Sequence, residues 1–443
     1  MTGVQTCALP IYRDIGVIHF GLGAFHRGHQ AVYFDEALRK GVGEWGVYGI
    51  SPRSAKVTDA LRAQDFCYTV NARQGDAQNP EIIGSIFGGS LYSQDNFDLT
   101  KAIASPELKL ITVTVTEKSY VSSSDLDSMP NRLLDMLQSR FTQGLSAPTI
   151  ISCDNLPSNG EYLRNVLLSS AQMRSMDLNF LEWLERLHIP NAMVDRIVPA
   201  ITQEAITQFE SEFGYRDESL ISTEPFKQWV VAPHSGAEQL AATGIEISGE
   251  VENFETLKLR LFNGAHSTTA YFSQLSGIEY VYQAIALPDW NSFISRLQEE
   301  LARSFNAPSS IDVMEYCQKA RTRIGNSAVA HRSAQIAMDG SAKLPQRLFR
   351  AMNTLSEQNL KREHVAFAIA LWLRFLQSGL PVTDPLSNAL LESVQAVNSY
   401  QAVQRVMQTS GLQSPIIESE WKLVGDFLAK LQSHSPLDIA KNF

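Results

Sequence analysis

The sequence predicts an α/β N-terminal half built on a doubly wound parallel sheet with additions, joined to a mainly α-helical C-terminal half. Three observations predict it. From Ile15 to about Cys153, strand-like apolar runs alternate with helical ones, as in βαβ units. A glycine turn, Gly21-Leu22-Gly23, separates the first strand from the first helix. From "NFETLKLRLFNGAHSTTAYFSQL" onward, apolar positions recur at helical spacing and β-branched runs become scarce.

In order, "IGVIHFG" reads as a strand, "GHQAVYFDEALRK" as a helix and "WGVYGIS" as a second strand. About 20 residues join the two strands, enough for a crossover helix. "FCYTVNAR" and "EIIGSIF" read as a strand pair around a polar loop, "LKLITVTVTEKSY" as a buried strand and "APTIISCDN" as another. The small, polar, glycine-containing stretch "SGAEQLAATGIEISGE" marks a boundary, dividing the chain into residues 13–245 and 246–443. Residues 1–12, "MTGVQTCALPIY", lack a basic n-region and have too short an apolar run for an export signal. They resemble a translated sequencing adapter and are expected to be artefactual or disordered, outside the fold.

Bulk properties narrow the function classes. The 443-residue chain is 44% hydrophobic and 19% charged, which suits a globular protein of two domains. With 37 basic and 47 acidic residues, its formal charge of −10 argues against nucleic acid or an anionic membrane as partner. Cys7, Cys67, Cys153 and Cys317 form no CxxC pair, so neither a disulfide framework nor a thiolate zinc site is expected, and a cytoplasmic location is. There is no Tyr-x-x-x-Lys pair and no HExxH. A dehydrogenase on this chain would be metal-free with a lysine base.

Four segments could carry chemistry. The strand, glycine turn and helix at "HFGLGAFHRGH" have the makings of a pyrophosphate site: Gly21 permits the turn and Gly23 lets the backbone come close to phosphate. His26 stands where the third glycine of a dinucleotide fingerprint belongs, so on residues alone the stretch reads equally as a plain glycine turn. After the second strand, where a ribose-binding carboxylate is usual, stands Ser51-Pro52-Arg53-Ser54. Arg53 could meet a 2′-phosphate, which keeps NADP open beside NAD.

On a helix at about 100° per residue, Glu255, Lys258, Asn263 and His266 fall within an arc of roughly 140°. That face is either solvated, with a Glu255–Lys258 pair at i, i+3, or a site where burial turns a lysine into a base. In "IISCDNLPSNG", Asn155 ends a strand and could hydrogen-bond a developing alkoxide, or it could simply begin an Asx-type turn. In "HRSAQIAMDGSAKLPQRL", Lys343 and Arg347 are surface cations or contacts for hydroxyls or a carboxylate.

Together "HFGLGAFHRGHQAVY", "TVTVTEKSY", "SCDNLPSNG", "NAMVDRIVPA", "EPFKQWVV", "KLRLFNGAHS" and "IAMDGSAKLPQRL", in that order, resemble the mannitol dehydrogenase family of long-chain polyol and hexonate oxidoreductases. The resemblance covers nearly everything from residue 15 onward. It implies a Rossmann-type N-terminal domain, a helical catalytic domain, and NAD bound at Gly21, Leu22, Gly23, Ala24, Phe25, His26 and Arg27, with Arg53 kept as a cofactor candidate from its place after the second strand. It further implies Lys258 as general base, Asn155 and Asn263 as oxyanion amides, His266 as a substrate-hydroxyl contact, Glu255 as a proton relay, and Lys343 and Arg347 as substrate contacts. The implied reaction interconverts a sugar alcohol or aldonate with its keto form, of fructuronate reductase or mannitol 2-dehydrogenase type, in a monomer or weak homo-oligomer. The "ISPRS" segment and the "VVAPHSGAEQ" segment depart from the family pattern and bear on cofactor and substrate preference. A non-catalytic nucleotide-binding sensor of a sugar acid would keep the glycine turn, but it has no use for the Lys258, Asn263 and Asn155 set.

Overall fold

The structure, a computed structural model, describes residues 15–52, 54–92, 97–234, 236–396 and 398–443. Arg53 and the stretch 1–12 lie outside the described residues. The chain divides into two compact units, the first ending at Glu252 and the second beginning at Asn253.

The strands of the first unit are β1 (Ile15–Phe20), β2 (Gly46–Ser51), β3 (Tyr68–Gln74), β4 (Ala77–Ile83), β5 (Ile86–Leu91), β6 (Leu110–Val113), β7 (Thr149–Ser152), β8 (Ala192–Asp195), β9 (Ile221–Thr223), β10 (Gln228–Val231) and β11 (Glu246–Ile247). The main sheet has the order β5-β2-β1-β6-β7, and every pairing in it is parallel. A parallel sheet is covered on both faces, which is why these strands read as continuous apolar runs. Successive residues of β1 serve opposite cores: Val17 packs with Val47, Leu110 and Ile151 on one face, Ile18 with Ile50, Ile111 and Ile150 on the other. From β1 the chain moves outward to β2 and β5, then returns to β6 and β7 on the other side. The order therefore reverses between β1 and β6, and ligands of such sheets bind beyond the strand C-termini at that point.

Two three-stranded sheets are added, β4-β3-β9 and β11-β10-β8. "EIIGSIF", expected as one strand, is divided: β4 ends at Ile83 in a hairpin with β3, while β5 starts at Ile86 beside β2. Two anchors to the first long helix bend the chain there, Gly84 N–H to Asp35 at 2.7 Å and the Ser85 hydroxyl to Ala31 O at 2.8 Å. The expected helix "GHQAVYFDEALRK" is α2 (Gln30–Lys40), and a short helix that the sequence pattern did not indicate, α1 (Ala24–Gly28), precedes it, with the break at His29. On the face carrying Ile18, α3 (Met129–Thr142) and α4 (Asn159–Met173) bury Leu133, Leu137, Leu163 and Leu167.

The described part of the second unit is helical. α5 (Val251–Leu257) runs without interruption into a π-helical segment, Lys258–Gly264, and on into α6 (Ala265–Leu275). Later α7 (Gly340–Leu344), a second π-helical segment (Pro345–Phe349) and α8 (Arg350–Glu357) repeat that form. α9 (Glu363–Gln377) is apolar on all sides from Val365 to Leu373 and buried throughout that stretch, so it serves as the unit's central post; α6 packs against it. Among the described residues no helix is long and apolar enough to cross a membrane.

Candidate active site

At the end of β1 the backbone turns through Gly21 at φ +108°, a conformation that L side chains avoid. A Cβ there would stand 1.8 Å from Thr114 O, so the turn is pressed against the end of β6. The N–H groups of Gly21 and Leu22 both donate to Ile50 O, at 2.9 and 3.0 Å. The Gly21 carbonyl accepts from the Thr114 hydroxyl at 2.9 Å and lies 3.1 Å from His19 Nε2. Beyond the turn opens a cleft of about 660 Å³ lined by Gly21, Leu22, Gly23, Ser51, Pro52, Thr114, Lys118 and Arg132, among others. A Cβ on Gly23 would meet only Gly21 O, at 3.7 Å, so the bare backbone faces open space.

The remaining cofactor candidates sit elsewhere. His26 is fully buried and stacked on His19, ring centroids 3.4 Å apart. Arg27 donates to Ser219 O at 2.7 Å and lies over the Tyr68 ring. Phe25 stacks on His29, and Ala24 packs beside it against the core. Arg27 thus ties the turn to the added sheet of β3 and β9, His26 packs on β1, and the cleft beyond is lined by Gly21, Leu22 and Gly23. Burial keeps the histidines neutral, pushing His19 and His29 down to about 3 and His26 well below the usual imidazole range.

At the end of β7, Asp154 accepts from Val115 N–H at 2.9 Å and from the Tyr120 hydroxyl at 2.6 Å. Asn159 ties Ser152 O, Asp154 O and Ala192 together from below, donating to Ala192 O at 2.7 Å. With Asp154 and Asn159 occupied in this way, Asn155 is left exposed at the tip of the turn. Sequence reasoning missed both anchors, although Tyr120 and Asp154 both stand in motifs it had singled out.

In the second unit the π-helical turn changes the predicted geometry. On a regular α-helix, Asn263 would lie about 140° around the axis from Lys258. The i→i+5 pattern of Lys258–Gly264 takes more residues per turn and so brings Asn263 round toward the side of Lys258. Lys258 is buried, at 8% exposure, with Glu255 and Asn263 half-buried. His266 follows in the first turn of α6, buried, its ring 5.5 Å from that of His331. Its Nε2 has no hydrogen-bond partner among the described residues. Burial first, then coupling to the His331 imidazole and the positive charges of Arg347, Arg323 and Lys343, hold its pKa well below the usual imidazole range.

Arg347 donates to Ser267 Oγ at 2.6 Å, and Arg323 lies 4.0 Å over the Phe262 ring. Lys343 donates to Met338 O at 2.8 Å and stands 3.6 Å from Asp339. The two π-helical segments pack together, and at Gly264 a Cβ would just reach contact with Arg347 O at 3.4 Å, which leaves no room for a larger side chain. The second unit thus gathers the segment of Lys258 and Asn263, His266, Arg347 and Lys343, together with His331 and Arg323, which sequence reasoning passed over. Arg323 lies in the cation-rich run "ARTRIG" ahead of "HRSAQIAMDGSAKLPQRL", and His331 is the first residue of that segment, where only Lys343 and Arg347 were given a role. Asn155 belongs to the first unit. Among the described residues no group of three or more His, Cys, Asp or Glu side chains is placed to hold a metal ion.

Residues 15–243 match the mannitol dehydrogenase Rossmann domain and residues 250–434 the mannitol dehydrogenase C-terminal domain. The chain is 32% identical over 418 residues to the uncharacterized oxidoreductase YeiQ of Escherichia coli, covering 87% of this chain and 85% of that one. It is 31% identical over 455 residues to the D-mannonate oxidoreductase of E. coli, covering 93% and 92%. Among solved structures, the Pseudomonas fluorescens mannitol 2-dehydrogenase in ternary complex with NAD and D-mannitol superposes with a TM-score of 0.81 at 25% identity, covering 97% of this chain and 94% of that one.

Proposed function

Since the chain belongs to the mannitol dehydrogenase family of oxidoreductases, we propose that it is an NAD-dependent secondary-alcohol dehydrogenase that interconverts a sugar alcohol or aldonate with its keto form. One observation carries the reading: the single π-helical turn that carries both buried Lys258 and Asn263, followed by a His266 whose Nε2 has no partner among the described residues.

The cleft above the Gly21 turn fits a dinucleotide, because the Gly21–Gly23 backbone lines it and Gly23 faces open space. When bound, the nicotinamide supplies the acceptor for the hydride that leaves the carbinol carbon. Lys258 Nζ takes the hydroxyl proton, and burial is the condition under which an amine can be free to do so. Asn155 and Asn263 donate amide N–H groups to the oxygen as its charge develops; being neutral, they do not compete for the proton. Glu255, one turn before Lys258, passes the proton onward. In the reducing direction the same groups act in reverse, with Lys258 returning the proton to the nascent alkoxide.

His266 Nε2 is the contact for a neighbouring substrate hydroxyl, and Lys343 and Arg347 extend the site. The cations around His266 favour a substrate with a carboxylate, D-mannonate to D-fructuronate, and the E. coli D-mannonate oxidoreductase is a relative. D-mannitol to D-fructose is the neutral alternative, favoured by the ligand of the P. fluorescens complex. The test is purified protein with NAD and a panel of mannonate, altronate, mannitol and arabinitol, followed by nicotinamide absorbance. Turnover is expected, fastest with an aldonate; NAD binding without turnover of any member would sink the assignment.

A further inference from the structure

Where the second strand of a doubly wound dinucleotide fold ends, a carboxylate accepts from the ribose 2′-hydroxyl of NAD, whereas an arginine nearby accommodates the 2′-phosphate of NADP. Here β2 ends at Ser51, and Pro52 and Ser54 follow it into the cleft lining without a carboxylate. Into that place comes a guanidinium from 80 residues away: Arg132, in the first turn of α3, donates from Nη1 to Pro52 O at 2.7 Å. The Tyr92 ring covers it at 4.8 Å, and Nη2 donates to Asp127 Oδ1 at 3.1 Å. The side chain is only 15% exposed, so its position is fixed before any ligand arrives. Arg132 and Lys118 both line the cleft, and Asp127, itself 86% exposed, is the one carboxylate among the described lining residues.

Resting on the reading of this cleft as a dinucleotide site, we propose that it accepts a 2′-phosphorylated dinucleotide, NADP, as well as NAD, with the Arg132 guanidinium as the group that binds the 2′-phosphate. Pro52 O and Asp127 engage two of the five guanidinium N–H donors, leaving others for phosphate oxygens, and charge-assisted bonds of this kind are about twice as strong as neutral ones. Asp127 competes with the phosphate for the same guanidinium and repels it, which sets the balance between the two cofactors.

The experiment is calorimetric titration of the full chain with adenosine 2′,5′-bisphosphate and, separately, adenosine 5′-monophosphate, which differ only in the 2′-phosphate. The bisphosphate is expected to bind at least about tenfold more tightly, with an advantage that shrinks as salt screens the pair. Arg132→Leu removes the advantage and leaves the monophosphate within about twofold, Arg132→Lys retains part of it, and Asp127→Asn enlarges it. Equal affinities in the unsubstituted protein, an advantage that survives Arg132→Leu, or equal weakening of both nucleotides in that variant would overturn the proposal. Tight bisphosphate binding in a protein that oxidises no polyol or aldonate would instead defeat the proposed reaction and leave the 2′-phosphate site standing.

Discussion

In the proposed reaction, Lys258 is the residue on which the chemistry turns. Lys258→Ala is expected to abolish turnover while NAD still binds, since Lys258 is remote in sequence from the cleft-lining glycines and does not appear in that lining. Wild-type turnover in this variant, measured beside an NAD titration, would refute the role. Asn263→Ala and Asn155→Ala should each lower kcat on the order of 10²-fold, the cost of one lost oxyanion donor. A loss seen only in KM would assign these amides to ground-state binding instead. Residue type alone made both roles available, an amine that can accept a proton and amides that can donate without taking one, and the family resemblance attached them to these positions. The behaviour of His26 and Arg27 was not legible in this way. Whether such residues face a ligand or the interior depends on what packs over them, here Tyr68, Ser219 and the stacked His19.

Two turns carry the local geometry, and each rests on a glycine. Gly21→Ala must force a Cβ into Thr114 O from a backbone conformation that costs a non-glycine residue of order 1–3 kcal/mol. NAD affinity should fall at least about tenfold as the turn shifts, and dissociation constants from a fluorescence titration would read it. Gly264→Val would instead separate the two π-helical segments, because a Cβ at that position would already stand 3.4 Å from both Arg347 O and the Leu301 side chain. Overpacking of that kind costs about 1–3 kcal/mol. The expected signature is the reverse of Gly21→Ala, with kcat lowered and NAD binding retained. The glycine turn was readable from the strand-turn-helix pattern. The π-helical turn was not, because periodicity assumes one residue spacing throughout, whereas this turn is wider and packs against a second one at Pro345–Phe349.

For the protein as a whole, the buried imidazoles under the nucleotide turn predict a pH limit. His19, His26 and His29 have folded pKa values depressed below the usual 6.5. The unfolded chain therefore binds protons that the folded chain refuses, so their contribution to stability is intact above about pH 6.5 and is lost as pH falls below it. The first pH unit below that value should cost on the order of 1 kcal/mol per histidine. Urea unfolding midpoints that do not move between about pH 7 and pH 5.5 would contradict this. By itself, the sequence determined the apolar runs of the parallel sheet, the glycine turn, the helical second half and the residue types able to move a proton, because each of these is set by local pattern or chemistry. Only the tertiary structure decided that His26 and Arg27 turn inward, that Lys258 and Asn263 share a π-helical turn, that Arg323 and His331 join His266, and that Arg132 meets the end of β2. Each of these depends on segments far apart in the chain packing together, and such contacts leave no local periodicity to read.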